Sequence, residues 1–328
     1  MVPFKFEGCG DQAMRSGRPQ GRTQVAMDQV ATNAVRTLNV AFDDYPQTRA
    51  LKSGAVKSDR VALNFSDIKP ANRFFKPMVR ELKFDISEMA IATYLQAKAY
   101  GKPLTLIPAT IMGRFQHGTL LCYAARGVLT PADLPGKRVG VRSYSQTTVT
   151  WVRGILANDY GVDLDSIHWV SQEDGHVAEY REPPGVERAA PQKDLLQMLR
   201  DGEIDAAIYG ANLPNDTSLK SVIPDPDAAA AKWYAQYKAV PINHMVVVTE
   251  ALSQSDPEAV REVFRLLAES KRAAGLPKPG SIDFLPYGVE ACRPALEQMI
   301  KFTLQQKLIP RALTVEELFD KTTRALMP

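Results

Sequence analysis

One phrase occurs twice in this chain, and it limits the possible folds more than any other feature. Residues 79–92 read VRELKFDISEMAIA, and residues 199–211 read LRDGEIDAAIYGA. Each runs from a helix end through a short turn to an Asp, Asp85 or Asp205, and then into a short apolar strand. That order is the grammar of parallel α/β sheets. The strand then points its C-terminal end to where open α/β sheets bind ligands. The two Asp lie about 120 residues apart, a domain-sized spacing. The repeat predicts two α/β lobes facing each other across a cleft.

Hydrophobic alternation and short apolar runs predict strands at 37–42, 61–65, 84–87, 104–109, 119–123, 137–141, 167–170, 205–209 and 245–248. Helical spacing falls between most of them, and again at 256–274, 289–306 and 314–325. Residues 130–136, TPADLPG, mark a boundary where a new unit begins. The long, charged, Pro-rich stretch 171–191 reads as a loop near or over the cleft. Too few strands follow residue 250 for a third domain, so the last third is expected to pack back on the first lobe. The expected division is a poorly ordered extension at 1–34, lobe 1 at 35–127 and 242–328, and lobe 2 at 128–241.

Composition excludes several classes. With 45% hydrophobic residues and a net charge of +3, neither disorder nor a nucleic-acid partner is indicated. No apolar run approaches membrane-spanning length. The three cysteines are odd in number and show no CxxC spacing, which argues against a disulfide framework or zinc knuckle. Residues 1–34 are polar, Gly- and Arg-rich, and lack the apolar core of a secretory signal, with Met27 a candidate start. A cytoplasmic location is therefore expected. Homo-oligomerisation is left open.

With these elements placed, the chain resembles the two-lobed, type II periplasmic-binding-protein-like fold, in which LPGKRVGV (134–141) opens the second lobe. It is more closely similar to the 4,5-dihydroxyphthalate decarboxylase family, from about Leu38 to Leu318. The matching pieces are FDISEM (84–89), RFQH (114–117), WVRGIL (151–156), GEIDA (202–206), HMVV (244–247) and PYGVE (286–290). There are departures. Gln47 and Gln116 stand where the family pattern commonly has Arg, Asn212 is read as replacing another Arg, and Cys292 stands where Asn is usual. Fewer cleft arginines imply a weaker hold on a dicarboxylate.

Candidate site residues follow from position and chemistry. His117 and His244 lie beside matched motifs, and a His at a cleft rim exchanges protons near neutral pH; each can equally be a hydrogen-bonded structural residue. Glu88 follows a buried strand, where a carboxylate is costly unless paired. It reads as a general base or an orienting partner for a His, or else as a helix-capping carboxylate. Arg114 can clamp a carboxylate bidentately or form a surface ion pair. The turn Ser143, Tyr144, Ser145, Gln146, Thr147, Thr148 opens a helix and offers hydroxyls and free amides to an anion, with Arg142 adding charge; plain N-capping is the alternative. Tyr287, Glu290 and Arg293 either close the cleft or only end a loop. His168 and His176 receive no role.

There is no GxGxxG, P-loop, HExxH or GxSxG motif. No cofactor is expected, although His117, His244 and Glu88 could converge on a divalent metal. The resemblance implies non-oxidative decarboxylation of 4,5-dihydroxyphthalate or a close relative to protocatechuate and carbon dioxide, with a small aromatic carboxylate as partner. His117 or His244 would act as acid, and Glu88 or the other His as base. Lobe closure would exclude water. The alternative is a solute-binding protein of a transporter for a small organic anion. A sensing or biosynthetic enzyme of the same fold comes third.

Overall fold

The computed structural model describes residues 35–328 apart from 191–192 and 211–212. The expectations placed on residues 1–34 and on Asn212 lie outside the described residues. The chain opens with β1 (Arg36–Ala41), α1 (Pro46–Lys52), β2 (Val61–Phe65), α2 (Asn72–Glu81), β3 (Ile86–Ala90), α3 (Ile91–Ala99) and β4 (Leu104–Gly113). It crosses to a second sheet through β5 (Leu120–Tyr123), β6 (Arg138–Ser143), α4 (Thr147–Asp159), β7 (His168–Glu173), β8 (Glu187–Arg188), α5 (Leu195–Asp201), β9 (Ala206–Ile208) and β10 (Leu219–Ser221). It returns through α6 (Pro226–Tyr237) and β11 (Ile242–Thr249) to α7 (Glu250–Ser255), α8 (Pro257–Ala273), α9 (Val289–Gln305) and α10 (Lys321–Arg324).

The first sheet has strand order β2-β1-β3-β11-β4, and the second β10-β5-β9-β6-β7-β8. Neither is purely parallel. β11 runs antiparallel between β3 and β4, and β5 runs antiparallel to both β9 and β10. The strand expected at 119–123, within the stretch assigned to lobe 1, forms as β5 from Leu120 and pairs in the second sheet. The crossing therefore precedes residue 120, because the backbone of Leu120–Cys122 is in register with Ala206–Ile208.

The repeated phrase folds as a repeat. Each helix ends on a left-handed residue, Leu82 with φ 51° and Gly202 with φ 76°. Each Asp then ties its strand to the neighbour it will run beside. Asp85 accepts the Asn39 N–H at 2.8 Å and donates its own N–H to the Asn39 carbonyl at 2.9 Å. Asp205 makes the same pair with Arg138, at 2.9 and 2.8 Å. A side-chain carboxylate here fixes the register before the ladder begins.

The C-terminal third departs from expectation at two points. α8 packs on α1 and the first sheet, but α9 also packs against α4 of the second. Phe302 lies edge-on to Trp151 at 5.6 Å, and Gly154 admits that ring where any Cβ would collide with it. The helix expected at 314–325 breaks into a 3-10 turn and α10. Phe319 is extended and buried, and Asp320 caps the last turn by accepting the Thr323 N–H at 2.8 Å. Among the described residues no helix is long and apolar enough to cross a membrane.

Candidate active site

A cavity of about 370 Å³ opens between the two sheets, lined from both. On the first-sheet side its centre is a buried carboxylate. Glu88 on β3 has no exposed surface and accepts three hydrogen bonds. They come from His244 Nδ1 at 2.6 Å, Tyr45 Oη at 2.7 Å and the Asp43 backbone N–H at 3.0 Å. Those donors meet the cost of burying the charge. The sheet register explains the pairing. Glu88 stands opposite Val246 and His244 opposite Ala90, so Glu88 and His244 are diagonal neighbours on one face. The β11–β4 register shifts on both sides of His244, an irregularity of the kind that re-aims a side chain. With Nδ1 engaged by Glu88, His244 keeps Nε2 for the cavity it lines.

Tyr45 comes from the turn after β1 and precedes Pro46 at the first position of α1. Burial, then the Glu88 charge, hold its hydroxyl well above the ordinary tyrosine range, so it remains a donor. Asp43 in the same turn accepts the Ala71 N–H at 2.8 Å and so fixes the start of the next helical segment.

Two cations border the cavity, Arg114 just after β4 of the first sheet and Arg142 on β6 of the second. Arg114 donates to Thr148 Oγ1 at 3.3 Å, and its Nε is buried without a partner. Arg142 also has a buried Nε with no partner among the described residues. Neither forms an ion pair among the described residues. Burial alone pulls the Arg114 guanidinium below its usual range, as expected for a cation lacking its counter-ion. Beside them α4 begins without a side-chain cap, since Gln146 at the N-cap makes no capping bond. Thr148 Oγ1 instead receives Arg114 and Asn243, and Thr147 Oγ1 receives the Ala92 N–H at 3.2 Å from the first lobe. The first-turn N–H groups of α4 and two guanidiniums without ion pairs among the described residues are donors of the kind that suit a carboxylate.

A curated 4,5-dihydroxyphthalate decarboxylase from Comamonas testosteroni is 33% identical over 250 residues, covering 72% of this chain and 75% of that protein. The chain belongs to the 4,5-dihydroxyphthalate decarboxylase family. A second protein of that name, from Pseudomonas putida, is 31% identical over 210 residues, covering 60% of this chain and 81% of that protein. No protein-family model matches the chain. Among solved structures, the alkanesulfonate-binding protein SsuA from Xanthomonas axonopodis pv. citri superposes with TM-score 0.58 at 13% identity, covering 87% of this chain and 98% of that one. The periplasmic aliphatic sulphonate binding protein SsuA from Escherichia coli gives TM-score 0.56 at 11% identity, over 87% and 97% of the respective chains. This decarboxylase-family chain therefore has the two-lobed periplasmic-binding-protein fold.

Several candidates drawn from the sequence meet in the cavity of this family member: His244, Arg114, Arg142, Thr147 and Thr148 line it, and Glu88 stands directly behind His244. Others lie elsewhere. His117 is buried with its ring against Phe115 and Trp233, and its Nδ1 has no partner among the described residues. Burial pushes it down to about 4, so it stays uncharged at neutral pH. It does not join Glu88 and His244, and among the described residues no group of three or more His, Cys, Asp or Glu is placed to hold a metal ion. Tyr144 is taken by the fully buried Arg153, whose guanidinium lies 3.8 Å from the centre of its ring. Ser143 and Ser145 are buried away from the cavity wall. Tyr287 packs in the first-lobe core against Phe264, while Glu290 and Arg293 pair with each other at the surface.

The departures from the family pattern turn inward. Gln116 donates to Asn243 Oδ1 at 2.7 Å and to the Arg114 carbonyl at 2.8 Å, bracing the Arg114 turn. Gln47 donates to the Ile111 carbonyl at 2.6 Å, and Cys292 to the Pro286 carbonyl at 3.4 Å. Sequence reasoning missed Tyr45, Asp43, Thr93 and His176, all of which line the cavity. A signal existed for the first two. They lie in the turn following a parallel strand, where ligands bind in such sheets.

Proposed function

We propose that the protein is a non-oxidative carboxy-lyase for a dihydroxylated aromatic dicarboxylate, with 4,5-dihydroxyphthalate as substrate and protocatechuate and carbon dioxide as products. The observation that carries this reading is the buried Glu88–His244 pair opening into a cavity bordered by two guanidiniums, Arg114 and Arg142, that form no ion pair among the described residues. The names of the curated relatives support the substrate class.

In this substrate each carboxylate has a hydroxyl para to it. Ionising that hydroxyl pushes electron density onto the carboxylated carbon. His244 Nε2 delivers a proton to that carbon and makes a dienone-like intermediate. The carbon–carboxylate bond then breaks, its electrons return to the ring, and carbon dioxide leaves. One proton is consumed per turnover and no electron is exchanged with a partner. Glu88 orients the imidazole and carries the compensating charge. Arg114, Arg142 and the start of α4 hold the carboxylates. The proposal includes the cytoplasmic location expected from the sequence, which cell fractionation tests.

A second reading has one observation in its favour, the fold shared with sulfonate-binding proteins. A binding protein needs the two guanidiniums, but not an imidazole backed by a buried carboxylate. The deciding experiment incubates EDTA-treated protein with 4,5-dihydroxyphthalate, with and without divalent metal, and follows protocatechuate by chromatography. Turnover supports the lyase. Thermal stabilisation by the substrate without turnover supports the binding protein.

A further inference from the structure

The mechanism above leaves one imidazole of the cavity without a task. We propose that His176 contacts the substrate and donates a hydrogen bond from Nε2 to its phenolate oxygen, with Thr93 fixing the tautomer and Arg80 positioning the loop. This rests on the lyase reading and deepens it.

His176 belongs to the stretch between β7 and β8, in the second lobe, yet its contacts are with the first. Its Nδ1 lies 2.8 Å from Thr93 Oγ1 on α3. No other hydrogen bond of that hydroxyl is present among the described residues. When Thr93 donates, Nδ1 is the acceptor and the ring proton sits on Nε2. The backbone of the loop is clamped from α2: Arg80 Nε donates to the His176 carbonyl at 2.8 Å, and Nη2 to the Gly175 carbonyl at 3.3 Å. Lys102 reaches Glu179 of the same loop at 2.6 Å. Phe75 presents itself edge-on to both imidazoles, with ring centres 5.6 Å from His176 and 5.2 Å from His244. The two imidazoles thus flank one wall of the cavity, one backed by a carboxylate and the other by a hydroxyl.

That difference in backing assigns different work. The charged groups acting on His176 are Arg142, Lys76, Arg80 and His244, all of the same sign when ionised. Burial, then these cations, push it down to about 3. A neutral imidazole in a cationic setting is a poor base and a good donor to an anion. The proton balance closes without it. The substrate hydroxyl loses its proton to solvent as it binds, and His244 gives one proton to the ring carbon. The carboxylate leaves as carbon dioxide, and solvent reprotonates both the product phenolate and His244.

The test uses the product protocatechuate as probe. Its phenol is titrated by near-ultraviolet difference absorbance, free and bound, in wild type, His176→Gln, Thr93→Val and Arg80→Ala, and kcat and KM are measured for 4,5-dihydroxyphthalate. Wild type should ionise the bound phenol on the order of one pH unit below the free ligand. His176→Gln should return it to the free value and lower kcat about 10²–10³-fold, the loss typical of one oxyanion donor, with KM within a few-fold. Thr93→Val should move both readouts the same way by a smaller amount, and it decides the matter alone if His176→Gln does not fold. Arg80→Ala should fall between wild type and His176→Gln. Unchanged phenol ionisation in His176→Gln and Thr93→Val overturns the inference, even if stability falls. If wild type neither turns over the substrate nor binds protocatechuate, the lyase reading fails and takes this inference with it.

Discussion

At Asp85 and Asp205 the chain performs the same construction twice. A helix ends on a left-handed residue, an Asp exchanges two hydrogen bonds with the neighbouring strand, and a buried strand follows. The strands then diverge. β3 carries Glu88 in its middle and leads into α3, which supplies Thr93, whereas β9 is Ala-Ala-Ile and supports no charged side chain. The second lobe contributes to the cavity from elsewhere, through Arg142 at the end of β6 and the opening turn of α4. One scaffold unit can thus be kept for register in both lobes while only one copy carries a buried carboxylate. In the proposed reaction the first lobe holds the group that moves a proton together with Arg114, and the second brings Arg142 and helix amides to the anion.

The sharpest way to break this contrast is to remove the carboxylate behind His244. Glu88→Gln should lower kcat by about 10²–10⁴-fold, the range for loss of general acid–base work, without abolishing substrate binding. Steady-state kinetics with the folded variant checks it, and a kcat near wild type would place the chemistry elsewhere. Arg142→Met and Arg114→Met should act instead on KM. Each loses a charge-assisted contact worth about 1.5–3 kcal/mol, roughly a 10–100-fold weaker hold on the ligand, and isothermal titration with protocatechuate reads the effect directly.

Asp85→Ala and Asp205→Ala compare the scaffold itself. Each should cost about 1–2 kcal/mol of stability through the lost bond to a backbone N–H, seen as matched shifts of urea midpoint. Only Asp85→Ala should also depress kcat, since its strand carries Glu88; equal kinetic losses in both would contradict the division of labour.

The smallest expected effect is in pH dependence. His117 is held down to about 4 by burial, against an ordinary value of 6.5. Between those values the unfolded chain binds a proton that the folded protein refuses. Stability from this source is therefore complete above about 6.5 and declines as pH falls toward 4. His176, pushed down to about 3, adds in the same direction. His117→Leu should flatten the decline of urea midpoint between pH 7 and 5 while leaving kcat at pH 7 within a few-fold, consistent with a place outside the cavity.

Much of the frame was legible because local rules decide it. Period-two apolar runs placed β2 at its observed bounds, Val61–Phe65, and a helix-turn-Asp-strand phrase revealed the paired lobes. The antiparallel insertion of β11 between β3 and β4 was not legible. An apolar strand reads alike in either direction, and its direction depends on where the chain has travelled since residue 113. Short strands such as Glu187–Arg188, exposed and charged, exist only through their ladder with β7.

The site divides along the same line. Chain position, residue type and the matched family motifs marked Glu88, His244 and Arg114, because a carboxylate after a buried strand and charged groups beside strand ends demand explanation. They could not choose between His117 and His244, which differ by a few residues of local context but differ completely in surroundings. One ring is enclosed by Phe115 and Trp233, and the other meets a carboxylate across a sheet diagonal. Nor could they promote His176, whose partners Thr93 and Arg80 lie 83 and 96 residues away. The sequence determined which elements form and which groups can titrate. Tertiary structure decided which of those groups face each other, because proton transfer and charge pairing act over a hydrogen-bond length, and only strand pairing within a sheet and the approach of the two sheets bring distant residues within it.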